Sequence, residues 1–149
     1  MQSFIDSKYF FRYIVQEGGA NMEITVGMKG EVSTLVERAD TASEVGSGSL
    51  LVYATPCMVA LMEGAACEAI AQTLPEDKTS VGTQLNISHL SATPVGLEVR
   101  AEAVVTEVDG NIVTFQVTAY DEAGKIGEGT HQRVIITTQR FLDKTYSKL

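Results

Sequence analysis

Residues 54–70 read ATPCMVALMEGAACEAI, and the predicted architecture is built around them. Thr55 followed by Pro56 is typical of a helix start, with threonine as N-cap and proline in the first turn, where its missing N–H costs nothing. Almost every later side chain is apolar or small, and the Leu-Pro-Glu-Asp of residues 74–77 stops the helix. The pattern predicts a helix over residues 55–73. A helix that is apolar on nearly all sides is typical of a buried element.

Segments on both sides of this helix alternate between apolar and polar residues, which is typical of half-buried strands. One strand candidate precedes the helix at residues 31–38. Four follow it, at residues 81–90, 97–108, 112–120 and 126–138. The order predicts an α+β domain in which an antiparallel meander covers one helix. Because a single flat sheet face could not cover so apolar a helix, we expect the sheet to curl around it and a partner subunit to cover the rest.

The composition argues against two kinds of partner. The 149 residues, 44% of them hydrophobic, fit one globular domain. The 11 Lys and Arg against 19 Asp and Glu give a net charge of -8. Since phosphate contacts supply most of the affinity of nucleic-acid binders, this acidic surplus predicts no nucleic-acid partner, although a local basic pocket stays compatible with it. No window is apolar and long enough to span a bilayer, so we expect no membrane partner.

The two cysteines, Cys57 and Cys67, fall in the same predicted helix. Ten residues of helix separate them by about 15 Å, whereas a disulfide needs Cα atoms within roughly 7 Å. The expected free thiols favour a reducing, cytoplasmic location. Neither cysteine has nearby His or Cys ligands, and the sequence lacks nucleotide- and phosphate-binding motifs. The prediction is therefore no metal and no cofactor.

The first 21 residues form an aromatic-rich extension whose charges cancel. One interpretation takes Met22 as the natural start, because Glu17-Gly18-Gly19 can be encoded by a purine-rich ribosome-binding sequence. The alternative is a helical extension that packs its aromatic side chains on the body. In both cases the domain is predicted at residues 22–141 and a polar tail at 142–149.

Glu63 is the most informative polar residue of the helix. Its neighbours three and four positions away are all apolar, so it lies on a stripe that we expect to be buried. An unpaired buried carboxylate is costly, so Glu63 needs a partner or a functional cavity that raises its pKa. His89, at the end of an apolar strand face, suits proton transfer, and a Glu63–His89 pair would satisfy both groups. The alternatives are a solvated helix face for Glu63 and a structural core role for His89.

Three further positions carry a possible chemical role. The hydroxyl of Thr55 stands at a helix N-terminus, where a developing oxyanion would be stabilised, although capping alone would explain it. His131 and Arg133 share one face of the last strand with Gly127 and Gly129, whose missing side chains leave room for a close approach. Arg133 would hold a phosphate or serve as a surface charge.

Three segments resemble hotdog-fold thioesterases of the fluoroacetyl-CoA thioesterase-like group. They are residues 54–70, SVGTQLNISHLSATPVGL at 80–97, and IGEGTHQRVII at 126–136. With the elements between them, the resemblance covers residues 22–141. It implies a hotdog fold, that is, a curled antiparallel sheet of about five strands around a long central helix. It also implies a homodimer with active sites near the subunit interface.

The same resemblance implies a catalytic set of Thr55, Glu63 and His89. It further implies that Gly82 lines the site and that Arg133 matches the arginine of the group's GTHxR segment, both as substrate-binding residues. The predicted function is hydrolysis of a short or medium acyl-CoA thioester to free acid and CoA. Glu63 would act as nucleophile or general base, and His89 would polarise the carbonyl or move the proton. Thr55 would orient Glu63 or take part in acyl transfer as the nucleophile.

The chain also differs from the group before and after its threonine. Residues 39–49 are small and polar, which predicts a flexible loop, and Gly46-Ser47-Gly48-Ser49 stands where the fluoroacetyl-specific member has bulky lid residues. Pro56 and Cys57 replace small and aromatic residues. The alternative function is a non-catalytic acyl-CoA-binding module of the same fold. A hydratase on a related fold is less favoured, because no Asp is followed closely by His at a helix start.

Overall fold

The computed structural model describes residues 23–149. The expectations about residues 1–21 and about Met22 as a start lie outside this range. The strands are β1 Lys29–Leu35, β2 Lys78–His89, β3 Glu98–Asp109, β4 Ile112–Asp121 and β5 Gly124–Thr137. The α-helices are α1 Ala42–Val45, α2 Thr55–Ile70 and α3 Thr138–Tyr146, and short 3-10 turns occur at Arg38–Asp40 and Ala71–Thr73.

All neighbouring strands are antiparallel, in the order β1-β3-β4-β5-β2. The predicted α+β class is therefore confirmed, but the simple four-strand meander is wrong. Strands β3, β4 and β5 form a meander, whereas β2 crosses to the far edge and pairs with β5. The connection after β2 passes the segment before α2, where the N–H of Tyr53 donates to the carbonyl of Thr93 at 2.8 Å.

The core lies between α2 and the inner face of the sheet. Alternate residues of β3 and β4 are fully buried, as the sequence alternation predicts. The buried apolar side chains of the helix and of these two strands are Met58, Leu61, Met62, Ala65, Ala66, Ile70, Val99, Ala101, Ala103, Val105, Val113, Phe115, Val117 and Ala119. Strands β1 to β4 all contact α2, so the sheet surrounds the helix as expected.

The start of α2 differs from the sequence prediction. Ala54 is the N-cap, and Thr55 and Pro56 are the first two helical residues. No side chain caps this helix, so the assignment of Thr55 as N-cap is wrong. At the other end the α-helix stops at Ile70 and a 3-10 turn continues to Thr73, which reproduces the predicted end.

Two segments for which the sequence predicted no helix contain one. The 39–49 loop includes α1, which ends at Gly46 in the left-handed region with φ 80°. Helix α3 follows β5 directly and runs to Tyr146, so it contains most of the segment 142–149. A side-chain hydrogen bond of 2.8 Å from Gln139 to Asp143 spans one of its turns. Among residues 23–149, no helix is long and apolar enough to cross a membrane.

Gly30 allows β1 to lie directly against α2. A β-carbon at this position would collide with the backbone oxygen of Ala65 and the backbone nitrogen of Ala69. Gly30→Ala is therefore expected to lower the free energy of unfolding by about 2–3 kcal/mol, because backbone atoms cannot move aside without displacing the helix. Denaturant unfolding measures this change. Ser33→Ala, at an exposed position of the same strand, is the control, and an equal loss in both variants would contradict the prediction.

Candidate active site

Thr55 and His89 meet at one end of the molecule. Thr55 begins α2 and His89 ends β2, and their Oγ1 and Nδ1 atoms lie 2.7 Å apart. This contact explains why the Thr55 hydroxyl does not cap its own helix. Burial lowers the pKa of His89, and the nearby Ser91 backbone partly offsets this. The imidazole is therefore neutral at neutral pH.

The second ring nitrogen of His89 is unused. Its Nε2 is buried and makes no hydrogen bond with any of residues 23–149. A buried polar atom without a partner is costly and is often associated with catalysis. His89 thus offers one nitrogen to Thr55 and keeps the other for a further group.

An open cleft of about 290 Å³ lies against this pair. Its lining side chains are mostly small. They are Ala42, Ser47, Val52, Tyr53, Thr55, His89, Leu90, Ser91 and Ala92. The N-terminus of α2 also points to this region, but Pro56 has no N–H and the N–H of Cys57 donates to the carbonyl of Ala54 at 3.0 Å. The first turn therefore offers fewer free donors to an oxyanion than the sequence predicts.

Glu63 lies in a second cluster, two turns further along α2. Its Oε2 accepts a hydrogen bond of 2.9 Å from a terminal nitrogen of Arg133 and lies 3.9 Å from Nε2 of His131. Its side chain is 35% exposed, so the expected full burial is not found in one chain. The Glu63–His89 pair is also not formed within the chain: the carboxylate pairs with Arg133 instead.

Arg133 is held by each of its guanidinium nitrogens. Besides the bond to Glu63, its Nε donates to the Ser80 hydroxyl at 2.8 Å and its other terminal nitrogen donates to the Ser80 carbonyl at 3.0 Å. Arg133 is only 6% exposed, so the alternative of a surface charge is wrong. The guanidinium fixes the position of the Glu63 carboxylate.

Gly82 leaves the space that this cluster occupies. A β-carbon there would lie 2.5 Å from Oε2 of Glu63 and 3.2 Å from Cε1 of His131. The register of β2 against β5 shifts between Gly82 and Gln84, which makes a bulge beside the carboxylate. Any side chain at position 82 would therefore displace Glu63 or His131.

The two glycines of β5 also admit close neighbours, as expected. A β-carbon on Gly127 would lie 2.6 Å from the Met58 sulfur, and one on Gly129 would collide with the Asn86 carbonyl. Met58 of the helix and the backbone of β2 therefore fill the space that the sequence leaves open. These two positions serve packing in the structure.

Within one chain the two clusters are separate. Thr55 and Glu63 are eight residues apart on α2, or about 12 Å along the axis. Gly82 and His89 are seven residues apart on β2, or about 23 Å. The structure brings Thr55 to His89 and brings Glu63 to Gly82 and Arg133, but it does not join the two clusters.

Sequence reasoning missed Ser80 of the second cluster, and it assigned no specific role to His131. Ser80 holds Arg133 across the β2–β5 pair, and His131 is fully buried beside it. The only sequence signal was that His131 and Arg133 share a strand face. The register that sets Ser80 beside them depends on the pairing of β2 with β5, which the alternation pattern does not reveal.

Known proteins are similar to this chain in sequence and in fold. The family model described as fluoroacetyl-CoA-specific thioesterase matches residues 36–139. The chain belongs to the fluoroacetyl-CoA-specific thioesterase family. Family membership makes the protein an enzyme of the thioesterase class and confirms the resemblance seen in the sequence.

Individual relatives agree with this assignment. A curated fluoroacetyl-CoA thioesterase of Streptantibioticus cattleyicolor is 39% identical over 97 residues, which cover 65% of this chain and 70% of the relative. A solved structure of the fluoroacetyl-CoA thioesterase FlK superposes with a TM-score of 0.81 at 31% identity, covering 86% of this chain and 99% of that one.

A more distant structure supports the fold alone. The hot-dog-like protein from Thermanaerovibrio acidaminovorans superposes with a TM-score of 0.75 at 24% identity, covering 83% of this chain and 92% of its own. This member of the fluoroacetyl-CoA-specific thioesterase family thus has the predicted hotdog fold, with five antiparallel strands around a central helix.

Proposed function

We propose that the protein hydrolyses an acyl-CoA thioester to a free acid and CoA, and that each active site is shared by two subunits of a homodimer. The catalytic residues are Thr55, Glu63 and His89. The observation that carries the proposal is the division of these residues between two clusters of one chain. The first cluster has an unused imidazole nitrogen, and the second has a partly exposed carboxylate.

The edge strand β2 supports the dimer. It is 12 residues long, largely exposed, and bonded to β5 on one side only among residues 23–149. Long unpaired edges are rare in isolated proteins, because they invite strand pairing. A second copy of β2 is the natural occupant, and an isologous antiparallel pair satisfies both edges at once.

A two-fold axis near Asn86 would complete the site. In an antiparallel pair centred there, the bulge at Gly82–Gln84 lies opposite His89 of the partner subunit. Gly82 and His89 both have β5 partners on the strand face that carries His131 and Arg133. Glu63 of one subunit would then approach Thr55 and His89 of the other.

Two versions of the chemistry fit this arrangement. In one, Glu63 takes a proton from water while the water oxygen bonds to the acyl carbon. In the other, the Glu63 carboxylate attacks the acyl carbon and water then cleaves the resulting anhydride. In both, the C–S bond breaks and the CoA sulfur leaves as thiolate, which receives a proton through His89.

Thr55 and Arg133 have supporting roles in the proposal. Thr55 orients His89 through the 2.7 Å contact. Arg133 acts on the substrate through Glu63, because its guanidinium nitrogens are already engaged by Glu63 and Ser80. Because Arg133 is buried and each of its guanidinium nitrogens already donates a hydrogen bond, it is poorly placed to bind a phosphate of CoA.

The acyl group is proposed to be short or medium in length and larger than fluoroacetyl. From the segment at residues 46–49, the small side chain of Ser47 lines the cleft. Exposed leucines flank this region at positions 50, 51 and 90, and they would contact an apolar acyl tail. Cys57 and Cys67 form no disulfide with any of residues 23–149, which supports a cytoplasmic location.

Thiol release from a panel of acyl-CoA and acyl-carrier-protein thioesters tests the proposal. We expect turnover of acyl-CoA, highest for chains beyond two carbons. Isothermal titration with a non-hydrolysable acyl-CoA analogue runs beside it. Tight binding without turnover across the panel would identify a binding module and overturn the proposed hydrolysis.

A further inference from the structure

His131 is a buried polar residue to which the proposed chemistry gives no role. It is 0% exposed, on β5. Its ring stacks on Phe115 of β4, with centroids 6.0 Å apart and ring planes at 29°. An apolar side chain of similar size would fill this place without burying two ring nitrogens, so the hydrogen bonds of His131 need an explanation.

Those hydrogen bonds fix the tautomer. Nδ1 lies 2.9 Å from the carbonyl oxygen of Gln84, which can only accept, so Nδ1 carries the proton. Nε2 lies 3.2 Å from a terminal nitrogen of Arg133, which can only donate, so Nε2 presents its lone pair. The imidazole is therefore the neutral Nδ1–H form.

The same nitrogen of Arg133 also donates to Oε2 of Glu63 at 2.9 Å. His131 thus shares one guanidinium nitrogen with the catalytic carboxylate, while Ser80 holds the other two. Among residues 23–149, Oε1 of Glu63 has no hydrogen-bond partner. One carboxylate oxygen is held and the other is left for the reaction.

We propose that His131 is a positioning residue: its neutral ring orients Arg133, and Arg133 in turn holds Glu63 so that its second oxygen faces the reacting thioester. This inference rests on the proposed role of Glu63. A protonated ring would present an N–H to the guanidinium instead of a lone pair, and it would compete with Arg133 for the carboxylate.

The surroundings keep the ring neutral. Burial is the largest cause that lowers the pKa of His131, and the charge of Arg133 adds to it, whereas the Gln84 carbonyl and Glu63 oppose it. The charged groups facing the ring are Arg133 on its own strand and Glu63 on α2. Burial raises the pKa of the Cys67 thiol on α2, which interacts with Arg133 and Glu63, so this thiol is uncharged. Phe115, the β4 residue paired with His131, carries no charge.

Two amide substitutions test the roles of the two ring nitrogens separately. His131→Gln places a carbonyl oxygen near the position of Nε2 and keeps an acceptor for Arg133. His131→Asn keeps a donor for Gln84 near the position of Nδ1 but does not reach Arg133. We expect His131→Asn to lower kcat about 10- to 100-fold with KM within about 3-fold, because misplacing a catalytic group acts on the chemical step. His131→Gln should retain kcat within about 3-fold of the unmodified enzyme.

Equal kcat values for the two variants would overturn the inference, since a structural role would not distinguish them. Long-range ¹H–¹⁵N NMR of the unmodified protein gives a readout independent of activity. The chain has two histidines, and the signals that His131→Gln removes belong to His131. We expect a protonated Nδ1 and a bare Nε2 at neutral pH; the opposite tautomer would overturn the inference. An unmodified enzyme that hydrolyses no thioester would instead overturn the proposed function, while the NMR result still tests the network.

Discussion

Replacing Glu63 by Gln is expected to reduce kcat/KM for acyl-CoA hydrolysis about 1,000-fold. The amide has nearly the shape of the carboxylate, so the packing between α2 and Gly82 is kept. It cannot take a proton from water or attack a carbonyl carbon, and it meets Arg133 without a charge. Steady-state thiol release on the best substrate of the panel measures the loss.

Glu68→Gln is the matched control for this experiment. It makes the same chemical change one turn further along α2, at an exposed position. We expect kcat/KM within about 2-fold of the unmodified enzyme, because exposed substitutions away from a site have small effects. Thermal unfolding of both variants checks the fold. If Glu63→Gln retained activity as Glu68→Gln does, Glu63 could be neither base nor nucleophile.

Mixing two inactive variants is expected to restore activity. Thr55→Ala damages one cluster and Glu63→Ala damages the other, so a heterodimer of the two has one fully intact site. With random exchange of subunits, half of the dimers are heterodimers and half of their sites are intact, which gives about 25% of the unmodified activity. Each variant alone is expected to have less than about 1%. Activity is measured after co-refolding at equal concentrations.

Thr55→Ala mixed with His89→Ala provides the control for complementation. Both residues belong to the same cluster, so every site of this heterodimer lacks one of them. No recovery is expected from this pair. Recovery in both mixtures, or in neither, would contradict an active site shared between subunits, whereas recovery in the first mixture alone would support the two-fold axis near Asn86.

Elements that bury one side were predictable from the sequence, because their apolar residues recur at regular spacing. The burial of α2 and the inner faces of β3 and β4 follow directly from the pattern of apolar residues, since that pattern reports which side of an element meets the core. The place of β2 was not predictable, because alternation shows that a strand exists and not which strand it pairs with. Helix α3 was missed because its residues are mostly polar, and neither a core contact nor a clear cap marks it in the sequence.

The candidate site was likewise predictable only in part. Burial arguments singled out Glu63 and His89 as polar groups that need partners, although Glu63 is partly exposed in one chain. They paired the two with each other, whereas one chain pairs Glu63 with Arg133, 70 residues away. Contacts over such a separation depend on strand register and on the bulge after Gly82. No local pattern reports either feature.

The start of α2 has a consequence for the balance between stability and activity. A serine, threonine or aspartate at the N-cap usually stabilises a helix by about 1 kcal/mol, yet the N-cap of this helix is Ala54 and no side chain caps it. Ala54 is fully buried, so a polar replacement there would be desolvated, and the hydroxyl of Thr55 is committed to His89. The central helix therefore lacks the side-chain N-cap that stabilises many helices, because the hydroxyl at its start is used for the chemistry. Such a loss of stability at a functional site is typical of enzymes, which are rarely at their maximum stability.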